Sequence, residues 1–341
     1  MFYPTLKTGI LNETTRGSKL FQDAIRATAQ RMEIREIYIE KDYWVCLALH
    51  QIFHSPLKEV VIFKGGTALS KCHGVIERFS EDIDLVVLTD EGQSGNQKRK
   101  RLKDVTGSLE EPFEEVELEG VTNKMGQIRK LAFEYPKLYK GDFGQVRDKV
   151  IVEASLFGSS EPRSKMQIFS YIYKMMMDAD QAELAEQYNL LPFEVSVLDY
   201  RRTFCEKIMS LVRFSHSEDP ITDLRMKIRH YYDLHLLLTV KEIREFLASQ
   251  DFEDMMLTVA KDDVAGYIND NKWLEIPPKE SIVFKDVLGT WKQLEKTYTD
   301  DFSGLVYGEL PEPKRITESI KKIAERLKQI KWTIKIDEDE V

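Results

Sequence analysis

The sequence predicts an α+β protein of two lobes: a mixed-sheet lobe over residues 1–197, opening with helices, and a helical lobe over residues 198–341. Two patterns predict it. Short runs alternating between apolar and polar residues, the period of a half-buried strand, cluster between residues 60 and 157. After about residue 198 the apolar residues recur every three or four positions, the period of an amphipathic helix. Length agrees, since 341 residues at roughly 150 per domain make about two units.

Ser18 to Met32 carries Phe21, Ala24, Ile25, Ala29 and Met32 at helical spacing, and Glu40 to Phe53 carries Trp44, Leu47 and Ile52. Tyr43 and Trp44 are read as core. Val60-Val61-Ile62-Phe63 is a short apolar run ending in Lys64-Gly65-Gly66, a buried strand entering a tight turn. Thr67 is placed to cap the short helix that follows, through about His73. Cys72 and His73 read as packing residues. Ile83 and Leu85 alternate with Asp82 and Asp84 and run into Val86-Val87-Leu88, so 82–88 is the next strand. Residues 89–103, polar and glycine-containing, are expected as a flexible loop. Alternation recurs at 112–118, 126–134 and 149–157, further strands of the same sheet. The lobes join near 190–198. Tyr200, Phe204, Ile208, Leu211 and Val212 then mark one helix, and Leu224, Ile228, Tyr231, His235 and Leu238 the next, with Asp219-Pro220 between them. Helices follow at 241–249, 252–266, 284–297 and 313–331; the last carries Ile316, Ile320, Ile323, Leu327 and Ile330. The acidic tail Asp337–Glu340 is expected to fray.

Apolar residues at 42% and charged residues at 31% exclude a mainly disordered chain. A net charge of −9 excludes a protein that coats nucleic acid with its whole surface, which would be basic. A polyanion would need a local basic patch. Two exist, Lys98-Arg99-Lys100-Arg101 with Lys103, and Lys314, Arg315, Lys321, Lys322, Arg326, Lys328 and Lys331 in the last helix. Each reads first as a solvated face. No apolar run approaches the ~18 residues that span a bilayer, and Met1 to Thr15 lacks the basic and apolar blocks of a signal peptide. Cys46, Cys72 and Cys205 are widely spaced and form no CxxC pair, which argues against a disulfide framework and a zinc site. The expectation is a cytoplasmic protein without membrane contact.

The stretch from Phe63 to Leu88, FKGGTALSKCHGVIERFSEDIDLVVL, concentrates the chemistry. A Gly-Gly turn lets backbone approach a triphosphate, and the helix behind it presents free N–H groups to anionic oxygens. Gly65, Gly66 and Thr67 are therefore nucleotide-binding candidates; Lys64 reads equally as a phosphate contact and as a strand-end lysine. Asp82 and Asp84, two apart on a strand, project from one face with Cα atoms roughly 6–7 Å apart. Paired carboxylates of this kind hold one or two Mg²⁺ ions, and two ions can clamp the attacking and leaving oxygens of a phosphoryl displacement. Glu153, an acid in the apolar run Val150 to Ala154, is the candidate third carboxylate; its other reading is an edge-strand residue facing water. The sequence contains no G-x-x-x-x-G-K-[ST] phosphate loop and no kinase signature.

KGGTALSK and RFSEDIDL resemble the nucleotidyltransferase toxins of the AbiEii/AbiGii type, within the DNA polymerase β nucleotidyltransferase superfamily. Glu40-Lys41-Asp42-Tyr43-Trp44-Val45, Glu206-Lys207 and Arg229-His230-Tyr231-Tyr232-Asp233-Leu234 fit the same family, so the resemblance spans about residues 38–240. It implies a polymerase β-like first lobe, an NTP substrate, and the toxin of a type IV toxin–antitoxin pair used in abortive phage defence. It also implies an AbiEi-like winged-helix antitoxin encoded nearby. Some members, including the mycobacterial MenT group, act on the 3′ acceptor end of tRNA. The resemblance singles out Lys207 and Asp233 as active-site residues. On spacing alone Lys207 also reads as a surface lysine, and Asp233, four after Arg229, as half of a helical salt bridge. As an active-site residue, Asp233 reads as a general base for the acceptor hydroxyl or as the group that orients Lys207. Ser80 resembles a phosphorylation site in some relatives and reads otherwise as a capping serine.

The leading expectation is Mg²⁺-dependent transfer of NMP from an NTP to RNA, most simply the 3′ end of tRNA. Transfer to a small molecule or a protein, and a catalytically inactive nucleotide-binding module acting through a partner, are the alternatives.

Overall fold

A computed structural model of the chain describes residues 19–336 apart from 91, 142, 145, 157–160 and 268–270. The expectations for Met1–Thr15 and for Asp337–Glu340 lie outside the described residues.

Two helices lead in, α1 (Lys19–Met32) and α2 (Glu36–His54). α2 is buried on nearly every side, with Tyr43 and Trp44 in the core as expected. Seven strands follow: β1 (Val61–Lys64), β2 (Ile83–Val87), β3 (Glu114–Val116), β4 (Ile128–Glu134), β5 (Val150–Ser155), β6 (Arg163–Ile168) and β7 (Phe193–Leu198). They form one mixed sheet in the order β3-β4-β5-β2-β1-β7-β6. β2 runs antiparallel to β1 and parallel to β5, and β7 runs parallel to β1.

The register decides where charge falls. Lys130 pairs with Glu153, Glu153 with Asp84, and Asp84 with Lys64. Directly paired residues point to the same face, so these four charges make one row across β4, β5, β2 and β1. Their strand neighbours Leu131, Val152, Ala154, Ile83, Leu85 and Phe63 point the other way and are fully buried. Period two thus puts an apolar face on the core and a charged row on the opposite face.

The remaining helices are α3 (Gly65–Lys71), α4 (Gly95–Thr106), α5 (Tyr171–Asp178) and α6 (Ala182–Gln187), interleaved with the strands. Beyond the sheet come α7 (Tyr200–Ser215), α8 (Pro220–Met226), α9 (Ile228–Thr239), α10 (Lys241–Ala248), α11 (Gln250–Gly266), α12 (Ile282–Lys285), α13 (Val287–Lys296) and α14 (Pro313–Leu327). Ile316, Ile320, Ile323 and Leu327 of α14 are buried, so that apolar stripe is core. The apolar core runs unbroken from Phe21 to Ile334. The chain after α13 returns to the sheet half, where the Phe79 N–H donates to the Leu305 carbonyl (2.8 Å) and the Tyr307 N–H to that of Glu77 (3.0 Å).

Four sequence expectations are corrected. Residues 95–106 are helical: Ser94 and Gln97 close a reciprocal cap, and Leu102 and Val105 bury one side. The joint near 190–198 contains β7, an interior strand between β1 and β6. The helix expected from Leu224 to Leu238 breaks at Lys227 into α8 and α9. Thr67 lies inside α3, whose N-cap is Lys64.

Candidate active site

Gly65 adopts φ +81°, and a Cβ there would fall 2.1 Å from Asp84 Oδ2. A Cβ at Gly66 would fall 2.8 Å from Arg78 Nη2 and 3.0 Å from Ser80 Oγ. Both glycines are therefore demanded by the side chains packed over them. Burial, and then the charges of Glu153 and Asp82, push the Asp84 carboxyl above the usual carboxylate range. Lys130 and Lys64 flank it. Lys130 Nζ donates to Glu153 at 2.8 Å, and Lys64 Nζ to Glu206 at 3.3 Å.

Asp82 stands one residue before β2, with its Oδ1 3.7 Å from Arg147 Nη1. Its backbone carbonyl accepts from the Thr67 hydroxyl (2.6 Å), which also lies 3.0 Å from Ser80 Oγ. Thr67 is fully buried, so it braces the approach to β2 from behind. Ser80 caps no helix; its hydroxyl meets Thr67.

Lys207 of α7 and Asp233 of α9 meet in the interior, Lys207 Nζ lying 2.7 Å from Asp233 Oδ2. Arg78 donates to the same carboxylate through Nε (2.7 Å) and Nη2 (2.8 Å). All three side chains are buried. Burial alone would raise the Asp233 carboxyl, but Arg78 and Lys207 outweigh it and hold it well below the usual range. The salt bridge to Arg229 suggested by spacing is absent among the described residues, and neither residue is a surface group. Gly66, Arg78, Asp233 and Lys207 thus form a chain of contacts leading from the glycine turn into the helices.

A cleft of about 160 Å³ opens beside the charged row. Lys64, Asp84 and Glu153 line one wall, and Glu206, Arg213, Asp263 and Tyr267 of α7, α11 and the turn after it line the other. Asp82, Lys207 and Asp233 are not among its walls. Arg147, which faces Asp82, lines a second and wider cleft of about 880 Å³ with Lys137 and Lys140.

The family model for the nucleotidyl transferase AbiEii toxin of type IV toxin–antitoxin systems matches residues 47–329. The chain belongs to this family. It is accordingly a nucleotidyltransferase, the toxin member of a toxin–antitoxin pair. The match continues to residue 329, so α10 to α14 belong to the family pattern, which the sequence resemblance had carried only to about residue 240. Among solved structures the chain is similar to MenT4, a nucleotidyltransferase toxin from Mycobacterium tuberculosis, at 16% identity over 93% of this chain and 91% of that one, with a TM-score of 0.49. No curated protein matches the chain.

The acidic and basic residues just before the AbiEii match have a scaffolding place. Glu40 accepts from the Leu138 N–H (2.6 Å) and the Tyr139 N–H (2.9 Å). Lys41 donates to the Arg147 carbonyl. Asp42 accepts from the Tyr171 N–H (2.7 Å) and pairs with Lys71 of α3. Three successive buried charges therefore fasten three segments around the site.

AbiEii-type transfer implies a divalent metal, and the residues present fit one in part. Asp82 Oδ1 is buried and accepts no hydrogen bond among the described residues, and hard carboxylate oxygens suit Mg²⁺. No three His, Cys, Asp or Glu side chains among the described residues stand close enough to share an ion. Asp82 and Asp84 are thus the pair that would hold an ion together with water, while Glu153 has Lys130 as its partner.

Arg78, Lys130 and Arg147 escaped sequence reasoning. Arg78 lies within RFSEDIDL, and Lys130 opposes Glu153 on an alternating strand; both signals stand in the sequence, but their partners are long-range. Arg147 has no local signal.

Proposed function

We propose that this AbiEii-family toxin moves NMP from an NTP to the 3′ end of tRNA in a Mg²⁺-dependent reaction, and that it serves phage defence under an AbiEi-like winged-helix antitoxin. The observation that carries the reading is the register row in which Asp84 stands between Glu153 and Lys64, directly against the glycine turn. In the reaction the acceptor hydroxyl oxygen bonds to the α-phosphorus, the bond from that phosphorus to the β-bridging oxygen breaks, and pyrophosphate leaves while the hydroxyl proton passes to water. Asp82 and Asp84 would hold the Mg²⁺, which supplies charge neutralisation at the phosphates. Lys64, Gly65 and Gly66 bound the nucleotide side of the site, with Thr67 holding β2 behind it. Lys207, aimed by Asp233, adds positive charge from the helical half. In this reading residues 1–197 supply the carboxylates and residues 198–341 supply the cations that face them.

A macromolecular acceptor is supported by the space beside Asp82. Arg147, the ion-pair partner of Asp82, lines a wide cleft with Lys137 and Lys140, where Glu119, Glu134 and Asp148 share the wall. Incubation with each labelled NTP, Mg²⁺ and total RNA tests the reading. A labelled tRNA band should form, and Asp82→Asn and Asp84→Asn should each lower its rate by at least ~10²-fold. Label appearing in protein or small molecules instead would refute the RNA acceptor, and full activity of either variant would refute the carboxylate pair.

A further inference from the structure

Across the cleft from Asp84 and Glu153, two cations stand close together at a wall that also carries Glu206 and Asp263. Arg213, in the last turn of α7, lines the cleft. Its guanidinium carbon lies 4.6 Å from the centre of the Phe214 ring and 4.4 Å from that of Tyr267. Lys227, the residue between α8 and α9, puts its ammonium 4.6 Å from the same Phe214 ring. The two cations are therefore no farther apart than twice that distance. Among the described residues neither Arg213, Lys227 nor Arg229 has a carboxylate within ion-pair distance. Asp263, on the same wall, lies beyond that reach of Arg213, and Lys130 is committed to Glu153.

Burial, reinforced by Arg213, Arg229 and Lys130 and opposed by Glu153, pushes the Lys227 ammonium down to about 8. Half-buried like charges without partners cost stability. Ring faces recover some of that cost and leave N–H groups free to donate. Such a site suits an anion of high charge density. A polyphosphate, unlike orthophosphate, presents several anionic groups along its length and so can meet both cations at once.

We propose that Lys227 and Arg213 form a polyphosphate clamp that holds the β- and γ-phosphates of the NTP, keeps the leaving pyrophosphate in place and selects triphosphates over monophosphates. The clamp rests on the nucleotidyl-transfer reading above. Because the same cations could instead meet phosphates of the RNA backbone, the test separates the two sources.

The full chain, with Mg²⁺, is titrated calorimetrically with inorganic tripolyphosphate and, separately, with deacylated tRNA. Lys227→Met and Arg213→Met should each weaken tripolyphosphate about 10- to 100-fold, the span of one charge-assisted contact. Lys227→Arg should stay within a few-fold of the parent, and tRNA affinity should change little. Lys227→Met should also unfold at a higher temperature than the parent at pH 7, because an unpartnered cation is removed. Unchanged tripolyphosphate affinity in Lys227→Met, a parallel loss of tRNA affinity, or a lower unfolding temperature in that variant would each overturn the clamp. A parent that fails to bind tripolyphosphate would overturn it too. The broader reading fails separately, if the parent transfers label from no NTP to any acceptor.

Discussion

Arg78 grips both carboxylate oxygens of Asp233 at 2.7 and 2.8 Å, and Lys207 adds a third contact at 2.7 Å. A general base needs a free lone pair and a proton affinity near the working pH. Asp233 is fully buried, three of its contacts are taken by Arg78 and Lys207, and its carboxyl is held well below the usual range. Under the proposed function it is the anchor that aims Lys207. Asp233→Asn would leave two buried cations without a counter-charge, and removing one partner of a buried pair costs about 3–5 kcal/mol. The denaturant midpoint should fall accordingly, together with transfer activity. An Asp233→Asn protein of unchanged stability but no activity would restore the general-base role.

Two glycines with similar backbones should respond differently to alanine. Gly65 (φ +81°) and Gly74 (φ +61°) both occupy the left-handed region, where a side chain costs about 1–2 kcal/mol. Only Gly65 has Asp84 where a Cβ would sit; nothing lies within 4 Å of a Cβ on Gly74. Gly65→Ala should displace the Asp84 carboxylate and lower the transfer rate by at least ~10²-fold. Gly74→Ala should lose stability alone and keep its turnover. Equal turnover in the two variants would show that the glycine turn does not position Asp84.

The glycine turn and the Asp82–Asp84 spacing were legible because each is local: a tight turn demands glycine, and period two puts both acids near one edge. β7 was harder. Phe193, Val195 and Val197 do alternate with Glu194 and Ser196, but so short a run cannot tell a strand from a linker without β1 and β6 beside it. The stretch leading into α4 is polar and glycine-containing, so it reads as a loop; a reciprocal cap and two buried side chains make residues 95–106 a helix. Asp233 shows the limit most plainly. Arg229 sits at the right spacing, yet the partner it finds is Arg78, 155 residues away. Such pairings are set by topology and leave no trace in local spacing.

His50 sets an acid sensitivity unrelated to catalysis. Its ring is buried, stacked on His54 at 3.8 Å and met edge-on by Phe193 at 5.1 Å. Burial, with the second imidazole, pushes it down to about 4. The unfolded chain takes up this proton near pH 6.5, the folded one only near 4, so stability is lost as pH falls through that window. His50→Leu should lose packing at pH 7.5 but lack this acid penalty. The stability gap between parent and variant, measured by urea unfolding, should narrow from pH 7.5 to pH 5. A gap independent of pH would mean that His50 titrates normally in the fold.

The basic residues of α4 offer an acceptor track only if they can be removed without losing the helix. Arg101 cannot: its guanidinium donates to the Leu88 carbonyl and to Asp90, each at 2.8 Å, and so secures the connection from β2. Among the described residues Arg99 donates only to Asn96 within its own first turn, and Arg99, Lys100 and Lys103 are exposed while Lys98 is half-buried. Replacing Lys98, Arg99, Lys100 and Lys103 with Gln keeps good helix formers, the Ser94–Gln97 cap and the buried Leu102 and Val105. With a chain charge of −9, RNA approach depends on a local positive track. The quadruple variant should therefore label tRNA more slowly. Its logarithmic salt dependence should flatten by roughly 0.7–0.9 for each RNA phosphate that α4 no longer neutralises. Tripolyphosphate affinity should stay at the parent value, because α4 contributes nothing to the cleft wall that holds Arg213. A parent-like rate and salt slope would exclude α4 and move the track to the wide cleft of Lys137, Lys140 and Arg147 or to the exposed face of α14.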